Sequence, residues 1–261
     1  MTHISSLLIT LAKWKNKDCG SISLMNQCVV RLSRKVEISV SLLSADLSHL
    51  KDDVGRLIEA GADRIHCDIS DGRLIRPTIF GPVILEALSK IESQNVDLHF
   101  WLEKPELQID DYLKIMNNKI IRTVYFPLET CLSPFSVAEN IRNAGFRPGV
   151  VILPITPVSY VRPLLPYVDE VLIMTCDPTY VGRRVLTFTL DKIKETSDSI
   201  KKENLSVKIA VDGGIDSEFL PKVIRAGADI LVLGSIVFRE RRIEENIRNI
   251  KDVISNLSSD L

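Results

Sequence analysis

GADRIHCDISDG (residues 61–72) joins the end of a helical pattern to a strand and then to a turn. The apolar spacing of residues 46–60 is that of a helix, and Gly61 suits the left-handed backbone that commonly ends one. The apolar and β-branched residues of 64–69 then predict a strand buried on both faces. The same tripeptide, Gly-Ala-Asp, recurs at 227–229 before another apolar run. The chain therefore repeats a helix-to-strand joint, as parallel sheets require.

This alternation extends along most of the chain. The predicted strands are residues 36–43, 64–69, 96–102, 120–126, 147–153, 169–175, 207–211 and 229–234. The predicted helices include residues 46–60, 82–93, 134–144, 189–203, 216–226 and 241–256. Eight strands in this order, within about 250 residues, predict one α/β domain, a (β/α)8 TIM barrel. An open doubly wound sheet would carry a glycine-rich turn after its first strand, and residues 41–46 (SLLSAD) contain no glycine.

Residues 1–35 are predicted to form an N-terminal extension, which leaves residues 36–261 for the barrel. Residues 4–12 resemble the apolar core of a secretory signal. Lysines follow that apolar run, however, whereas an export signal carries its positive charges in front of it. We therefore predict an amphipathic helix over residues 4–16, outside the barrel.

Charge and cysteine content limit the partners and the compartment. The 33 Lys and Arg balance 34 Asp and Glu, which argues against nucleic acid or an anionic membrane as the main partner. No apolar run is long enough to span a bilayer. The cysteines fit neither a disulfide framework nor a zinc-knuckle spacing, so we expect a reducing, cytoplasmic setting. They are Cys19, Cys28, Cys67, Cys131 and Cys176.

Four side chains fall near the predicted carboxyl ends of strands, where barrels of this kind place their active sites. His66 and Asp68 are two residues apart and hence on one face of a strand. His99 and Asp212 lie near the ends of the third and seventh predicted strands. A single histidine in an apolar strand is more often a core residue, but the four together predict a divalent-metal site. Asp71, in contrast, is predicted to cap the next helix.

Glycines after the last two strands predict a phosphate site. Gly213 and Gly214 follow the seventh strand, and Gly234 and Ser235 follow the eighth. In these barrels the corresponding loops often bind phosphate through backbone N–H groups, and glycine lets the main chain approach the anion. For either pair taken alone, the alternative is that its glycine serves only to form an ordinary turn.

Six segments of the chain resemble the successive motifs of ribulose-phosphate 3-epimerases. They are SVSLLSADL, RIHCDISDG, DLHFWL, VLIMTCDP, VDGG and LVLGS, in this order from about residue 37 to residue 240. The resemblance implies a barrel of the ribulose-phosphate-binding type. It also implies a metal-dependent enzyme that inverts C3 of a ketopentose 5-phosphate, of the D-ribulose 5-phosphate to D-xylulose 5-phosphate type.

The resemblance also assigns roles by motif position. The implied metal ligands are His66, Asp68, His99 and Asp212, and the implied acid–base pair is Asp68 and Asp212. The implied substrate contacts are Ser41, His99, Met174, Thr179, Tyr180, Val181, Gly182, Gly213, Gly214, Gly234 and Ser235. Inversion of C3 needs one base on each face of the carbon, and two carboxylates from different strands provide this. The ligand set suits one divalent ion, whether Zn, Fe(II), Mn or Co.

Several positions depart from the family pattern. The loop at residues 179–183 reads TYVGR, where the family usually has GFGGQ, so β-branched residues replace glycines. Arg183 or Arg184 then becomes a candidate phosphate contact, and the alternative places both in solvent at the start of a helix. Ser70 and Trp101 stand where the family has methionines.

Other functions stay open at this stage. An epimerase of another ketose phosphate, such as a hexulose 6-phosphate, would use the same machinery. A catalytically silent sugar-phosphate-binding homologue is the alternative from a different class. A decarboxylase of the orotidine-phosphate type needs a lysine where this chain has Ser70. The expected partner is a small sugar phosphate, with no nucleic acid and no membrane, and a homo-oligomer is left open.

Overall fold

Parallel strands close into a barrel, as the sequence predicts. The structure, a computed structural model, describes residues 35–91, 95–115, 120–179 and 184–260. Its strands are β1 (Glu37–Ser41), β2 (Arg64–Asp71), β3 (Thr78–Ile79), β4 (Val96–Trp101), β5 (Ile121–Pro127), β6 (Arg147–Ile152), β7 (Glu170–Met174), β8 (Lys208–Asp212) and β9 (Ile230–Leu233). β1 pairs in parallel with both β2 and β9, and this closes the sheet. Short β3 lies outside the barrel and pairs antiparallel to the end of β2.

Helices alternate with the barrel strands and pack against their outer faces. They are α1 (Leu50–Glu59), α2 (Pro82–Ser89), α3 (Ile109–Ile115), α4 (Pro134–Asn143), α5 (Val158–Val161), α6 (Thr189–Lys202), α7 (Leu220–Ala226), α8 (Ser235–Phe238) and α9 (Ile243–Asp260). The sequence pattern located the longer helices and missed the short α3, α5 and α8. The helix predicted from residue 216 begins only at Leu220. Its start is displaced because the Asp216 carboxylate accepts the N–H groups of Glu218 and Phe219 and so forms a turn first.

The predicted N-terminal extension, residues 1–35, lies outside the described residues except for Lys35. The helix predicted over residues 4–16 lies there too. Residues 35–259 form one compact unit, and the predicted division of the chain into 1–35 and 36–261 stays a prediction. In the described part of the chain, no helix combines the length and the apolar character that a membrane span needs.

Apolar side chains fill the barrel interior from its middle to the carboxyl ends of the strands. This inner cluster includes Trp101, Tyr125, Val151, Leu172, Met174, Ala210, Ile230 and Val232. Gly149 on β6 is needed for this packing, because Tyr125 on the neighbouring strand lies flat against it. A Cβ at position 149 would approach Cε1 of Tyr125 to 2.6 Å.

Charged side chains fill the opposite, amino-terminal end of the barrel. Arg64 is fully buried and donates from Nε to Glu37 (2.7 Å) and from Nη1 to Asp97 (3.2 Å) and Glu170 (3.0 Å). The hydroxyl of Tyr125 also donates to Glu170. Burial of a charge this deep is tolerated only because its partners are within hydrogen-bond distance. Although burial opposes the charged form, the surrounding carboxylates raise the pKa of Arg64.

A hairpin packs against the carboxyl-terminal mouth of the barrel. Ser70 of β2 pairs with Ile79 of β3, and residues 72–77 connect the two strands. Leu74, Ile75 and Ile79 of this segment pack on the inner cluster that contains Trp101. The hairpin therefore covers part of the face at which the candidate site residues lie.

Candidate active site and metal centre

Four predicted side chains meet inside the barrel mouth. His66 and Asp68 point inward from β2, His99 points inward from β4, and Asp212 ends β8. Asp68 and His99 are neighbours across the β2–β4 ladder. Each of the four offers one ligand atom, and these atoms all lie within 4.8 Å of one another. The structure thus brings together the set that the sequence predicts.

The distances within this cluster suit a single small cation. Nδ1 of His99 lies 3.2 Å from Nε2 of His66, 3.2 Å from Oδ1 of Asp68 and 3.6 Å from Oδ2 of Asp212. Nε2 of His66 lies 3.8 Å from Oδ1 of Asp68 and 4.0 Å from Oδ2 of Asp212. Four ligands around one ion at the usual bond lengths would be about 3.3 Å apart. The observed atoms are close to that arrangement.

The charges of the cluster also favour a cation. Burial lowers the pKa of His66, while the nearby carboxylates of Asp212 and Asp68 outweigh burial and raise the pKa of His99. Burial alone would raise the pKa of Asp68, but the two imidazoles hold it well below its usual value. The Asp68 carboxylate is therefore held in its ionised form. One buried carboxylate and one partly exposed carboxylate, beside two buried imidazoles, form a donor set that fits a divalent ion.

Two ring nitrogens of the cluster have no hydrogen-bond partner among the described residues. They are Nδ1 of His66 and Nε2 of His99, both fully buried. Histidines that bind metal usually donate the remaining N–H to a carboxylate, a carbonyl or a water. Both rings also lie among aromatic neighbours, and the His66 ring centroid is 5.3 Å from that of His99 and 6.0 Å from that of Tyr125. The His99 ring lies against Trp101, with centroids 4.2 Å apart, and near Tyr125.

Ser41 ends β1 beside the cluster. Its hydroxyl donates to Oδ2 of Asp68 at 3.2 Å. The sequence predicts Ser41 as a substrate contact, and the structure places it against a catalytic candidate. Met174, another predicted contact, is buried at the end of β7, where it pairs with Asp212 across the ladder. Both residues therefore face the same end of the barrel as the cluster.

The predicted phosphate-binding residues lie on neighbouring strands. Gly213 and Gly214 follow β8 with φ of 117° and 67°, a region that favours glycine. A Cβ on Gly213 would also lie 2.6 Å from Sγ of Cys176. Gly234 follows β9 and packs close to Ser44, and Ser235 begins the single-turn helix α8. The structure thus brings the two glycine loops to one edge of the mouth.

The structure describes Thr179 and Arg184 of the altered loop after β7. Thr179 forms a turn in which its N–H and hydroxyl both donate to Asp177 (2.9 and 2.7 Å). Arg184 is exposed. The predicted contacts Tyr180, Val181, Gly182 and Arg183 lie outside the described residues, so their roles stay predictions.

One prediction is wrong. Asp71 does not cap the next helix, because α2 begins after Gly81. Its carboxylate instead accepts the N–H groups of Arg73 and Glu103, at 2.9 and 3.0 Å. The side-chain amide of Gln108 lies 3.3 Å from the same carboxylate. Asp71 therefore ties the loop after β2 to the loop after β4, a connection across strands that local sequence does not reveal.

A second connection missed by the sequence fixes the loop after β6. Nζ of Lys192, on α6, donates to the carbonyls of Leu153 (2.8 Å), Pro154 and Thr156 (2.6 Å). The Glu129 carboxylate accepts the Leu153 N–H at 2.7 Å. Burial lowers the pKa of Lys192 to about 8. In the sequence, Lys192 shares its helical spacing with Ile193, Thr196 and Ile200, which lie on the buried face of α6, and this spacing was the signal for a buried lysine.

A closed parallel barrel with a cluster of carboxylates and imidazoles at the carboxyl ends of its strands is the architecture of a (β/α)8-barrel enzyme. The model of the ribulose-phosphate 3-epimerase family matches residues 37–238. The chain therefore belongs to the ribulose-phosphate 3-epimerase family, a family of isomerases.

Individual relatives agree with this placement. Ribulose-phosphate 3-epimerase of Bacillus subtilis is 32% identical over 219 residues, 83% of this chain and 98% of that protein. The protein of the same name from Methanocaldococcus jannaschii is 29% identical over 217 residues, covering 83% and 90%. The chloroplastic ribulose-5-phosphate-3-epimerase of Arabidopsis thaliana is 32% identical over 214 residues, covering 82% and 75%.

Solved structures support the fold alone. The tryptophan synthase α-subunit of Pyrococcus furiosus superposes with a TM-score of 0.62 at 14% identity, over 86% of this chain and 99% of that one. A 3-hexulose-6-phosphate synthase superposes with a TM-score of 0.59 at 15% identity, over 84% and 99%. Identities this low say nothing about the reaction.

Proposed function

We propose that this chain is a metal-dependent 3-epimerase of a ketopentose 5-phosphate, which interconverts D-ribulose 5-phosphate and D-xylulose 5-phosphate. The observation that carries the proposal is the meeting of two carboxylates, Asp68 and Asp212, with two imidazoles in one cluster. Family membership supplies the substrate class, and the cluster supplies the groups that the reaction needs.

The chemistry requires two proton transfers at C3. One carboxylate removes the C3 proton of the ketose, which leaves an enediolate, and the other delivers a proton to the opposite face. Asp68 and Asp212 come from β2 and β8, which are separated around the barrel by β1 and β9. They can therefore approach a substrate carbon from different sides. The carboxylate that removes the proton must be ionised while the other carries a proton, and the two exchange these states in the reverse reaction. The two imidazoles lower the pKa of Asp68, which favours its ionised form.

His66, Asp68, His99 and Asp212 would hold one divalent ion, whether Zn, Fe(II), Mn or Co. Such an ion supplies electrostatic stabilisation of the negative charge that develops on the C2 and C3 oxygens. The imidazoles would act as ligands alone, through Nε2 of His66 and Nδ1 of His99, which face the cluster.

The phosphate group is assigned to the edge of the mouth formed by Gly213, Gly214, Gly234 and Ser235, with 179–182 and an arginine at 183 or 184 completing it. Backbone N–H groups at such loops suit an anion. The hairpin after β2 covers the part of the mouth around Trp101. Of the two carboxylates, Asp212 is the more exposed, with 18% of its side chain accessible. Substrate therefore reaches the cluster from the Asp212 side.

A panel of ketose phosphates in D2O tests the function. NMR follows deuterium at C3 in ribulose 5-phosphate, xylulose 5-phosphate and a hexulose 6-phosphate. Rapid exchange and inversion of the pentulose phosphates are expected. Preference for the hexulose would reassign the substrate, and the absence of exchange with every sugar in metal-loaded protein would indicate a silent binding homologue. The cytoplasmic location and a homo-oligomeric state stay predictions.

A further inference from the structure

Trp101 contacts the candidate cluster in a way that the sequence does not show. It ends β4, two residues after His99, and only 3% of its surface is exposed. Its indole Nε1 donates to Oδ1 of Asp68 at 2.9 Å. The indole N–H is donor only, so the direction of this hydrogen bond is fixed. Methionine, which the family pattern has at this place, offers no donor.

The indole ring is itself held in place. It lies against the His99 ring at a centroid distance of 4.2 Å. Ile75 of the hairpin and Met174 of β7 pack in the same apolar cluster. A donor that is fixed on several sides restricts its acceptor more than a mobile donor would.

The two carboxylates of the cluster differ in how they are held. Oδ2 of Asp68 accepts the hydroxyl of Ser41 at 3.2 Å, and Oδ1 accepts Trp101. Asp68 is therefore anchored from β1 and from β4 at once. Oδ2 of Asp212 is 3.6 and 4.0 Å from the two imidazole nitrogens, and its side chain reaches solvent. Asp68 is the fixed member of the pair.

We propose that Trp101 is a positioning residue, whose N–H holds the Asp68 carboxylate at the angle from which it both binds the cation and reaches C3. The effect of Trp101 on proton transfer rests on the proposed function, whereas its effect on metal binding does not. It predicts that proton transfer on the Asp68 face depends on Trp101 and that transfer on the Asp212 face does not.

The hydrogen bond is tested without turnover. The chain has two tryptophans, so a 1H–15N spectrum shows two indole signals, and Trp101→Phe identifies the one from residue 101. We expect Asp68→Ala to move this signal to higher field and to speed its exchange with solvent. The matched change Asp212→Ala should move it much less. An unchanged Trp101 signal in Asp68→Ala would overturn the proposal.

Metal affinity gives a second readout. Trp101→Phe keeps an aromatic ring and removes the donor, so Zn binding measured by chelator competition should weaken by about 10- to 100-fold, as is typical for partners of metal ligands. Val151→Ala, in the same apolar cluster but without a polar contact, controls for looser packing and should change the affinity less than twofold. Equal affinity in Trp101→Phe and wild type contradicts a positioning role.

Turnover separates positioning from simple loss of packing. In metal-saturated Trp101→Phe, kcat should fall about tenfold or more while KM changes little. Slower transfer on one face also changes the ratio of C3 deuterium in recovered substrate to that in product. Relative to wild type, this ratio should rise when one epimer is the starting substrate and fall when the other epimer is. Val151→Ala should leave both ratios unchanged. Failure of wild type to turn over any ketose phosphate would reject the proposed function, and the spectral and metal measurements would still decide the role of Trp101.

Discussion

Arg64 on β2 reaches Glu170 on β7 across the amino-terminal end of the barrel, with Nη1 3.0 Å from both carboxylate oxygens. Asp97 and Glu37 lie within hydrogen-bond distance of the same guanidinium. One buried cation thus joins strands that are far apart around the barrel. Removing it would leave three carboxylates in the interior without their main partner.

Arg64→Met should therefore destabilise the fold strongly. Loss of one partner from a buried ion pair typically costs about 3–5 kcal/mol, because the remaining charge is uncompensated. The free energy of unfolding in urea measures this. Arg73→Met is the matched control, since Arg73 pairs with Glu103 on the surface and such pairs contribute about 0–1 kcal/mol. Similar losses in the two variants would contradict the importance of the buried cluster.

Glu37 should make stability depend on acid pH. Burial opposes its ionisation, but hydrogen bonds from Arg64 and Lys208 outweigh burial and lower its pKa from 4.5 to about 2. A carboxyl whose pKa is lower in the folded state stabilises the fold above its unfolded value, and the contribution is lost as pH falls through the folded value. The relevant window thus runs from 4.5 down to about 2.

Comparison of wild type with Glu37→Gln measures this contribution. The difference in unfolding free energy should be largest near about pH 6 and should shrink towards about pH 2. Glu103→Gln, on the exposed Arg73 pair, should show a small difference at both ends. A Glu37→Gln difference that stays constant with pH would show that Glu37 does not titrate in this way.

Gly149→Ala should destabilise the barrel by about 1–3 kcal/mol, because the added methyl group overlaps the Tyr125 ring in a packed core. Gly55→Ala provides the opposite case. Gly55 lies within α1, and a Cβ there meets nothing within 4 Å. That change should stabilise by about 0.5–1 kcal/mol, since alanine favours a helix over glycine. Thermal unfolding of both variants checks the sign of each effect.

The barrel was predictable because its strands are apolar runs, and runs such as 148–152 are buried on both faces. Period-two spacing was sufficient to place His66 and Asp68 on one inward face. Short elements were missed because α3, with the sequence IDDYLKI, is too brief to show a helical period. The two-residue strand β3 forms by pairing with β2. A pattern read over a few neighbouring residues does not contain that information.

Contacts around the site were harder to predict than its members. His99 and Asp68 follow from strand ends and spacing, whereas the Trp101 hydrogen bond depends on a rotamer and on the β2–β4 register. Asp71 looked like a helix cap because a short polar residue after a strand usually is one. Its partners, Glu103 and Gln108, are more than 30 residues away. Tertiary contacts of this kind override local preference.

The proposed metal site predicts a stoichiometry. Protein purified without chelator should carry one divalent ion per chain, measured by elemental analysis. His99→Ala should lose most of it, because Nδ1 of His99 is central to the cluster, with all three other ligand atoms within 3.6 Å. His49→Ala alters an exposed histidine that pairs with Asp46 and should keep full occupancy. Full occupancy in His99→Ala would exclude the assigned ligands.

The altered loop after β7 gives the last prediction. If Arg183 or Arg184 replaces glycine N–H groups as the phosphate contact, a charge takes over what backbone geometry does in the family. A hydrogen bond between guanidinium and phosphate is worth about 1.5–3 kcal/mol. Loss of that contact should raise KM for the phosphorylated ketose by about one to two orders of magnitude. The free ketose never uses the contact, so its kcat/KM should not change.

Arg183→Ala, Arg184→Ala and the double variant test this against both substrates. Arg147→Ala is the control, because Arg147 is exposed at the start of β6, the end of the barrel opposite the mouth. A selective loss with the phosphorylated ketose identifies the arginine that binds the anion. Equal and small losses on both substrates would place the two arginines in solvent. Phosphate recognition would then depend on the glycine loops after β8 and β9, whose N–H groups no arginine substitution removes.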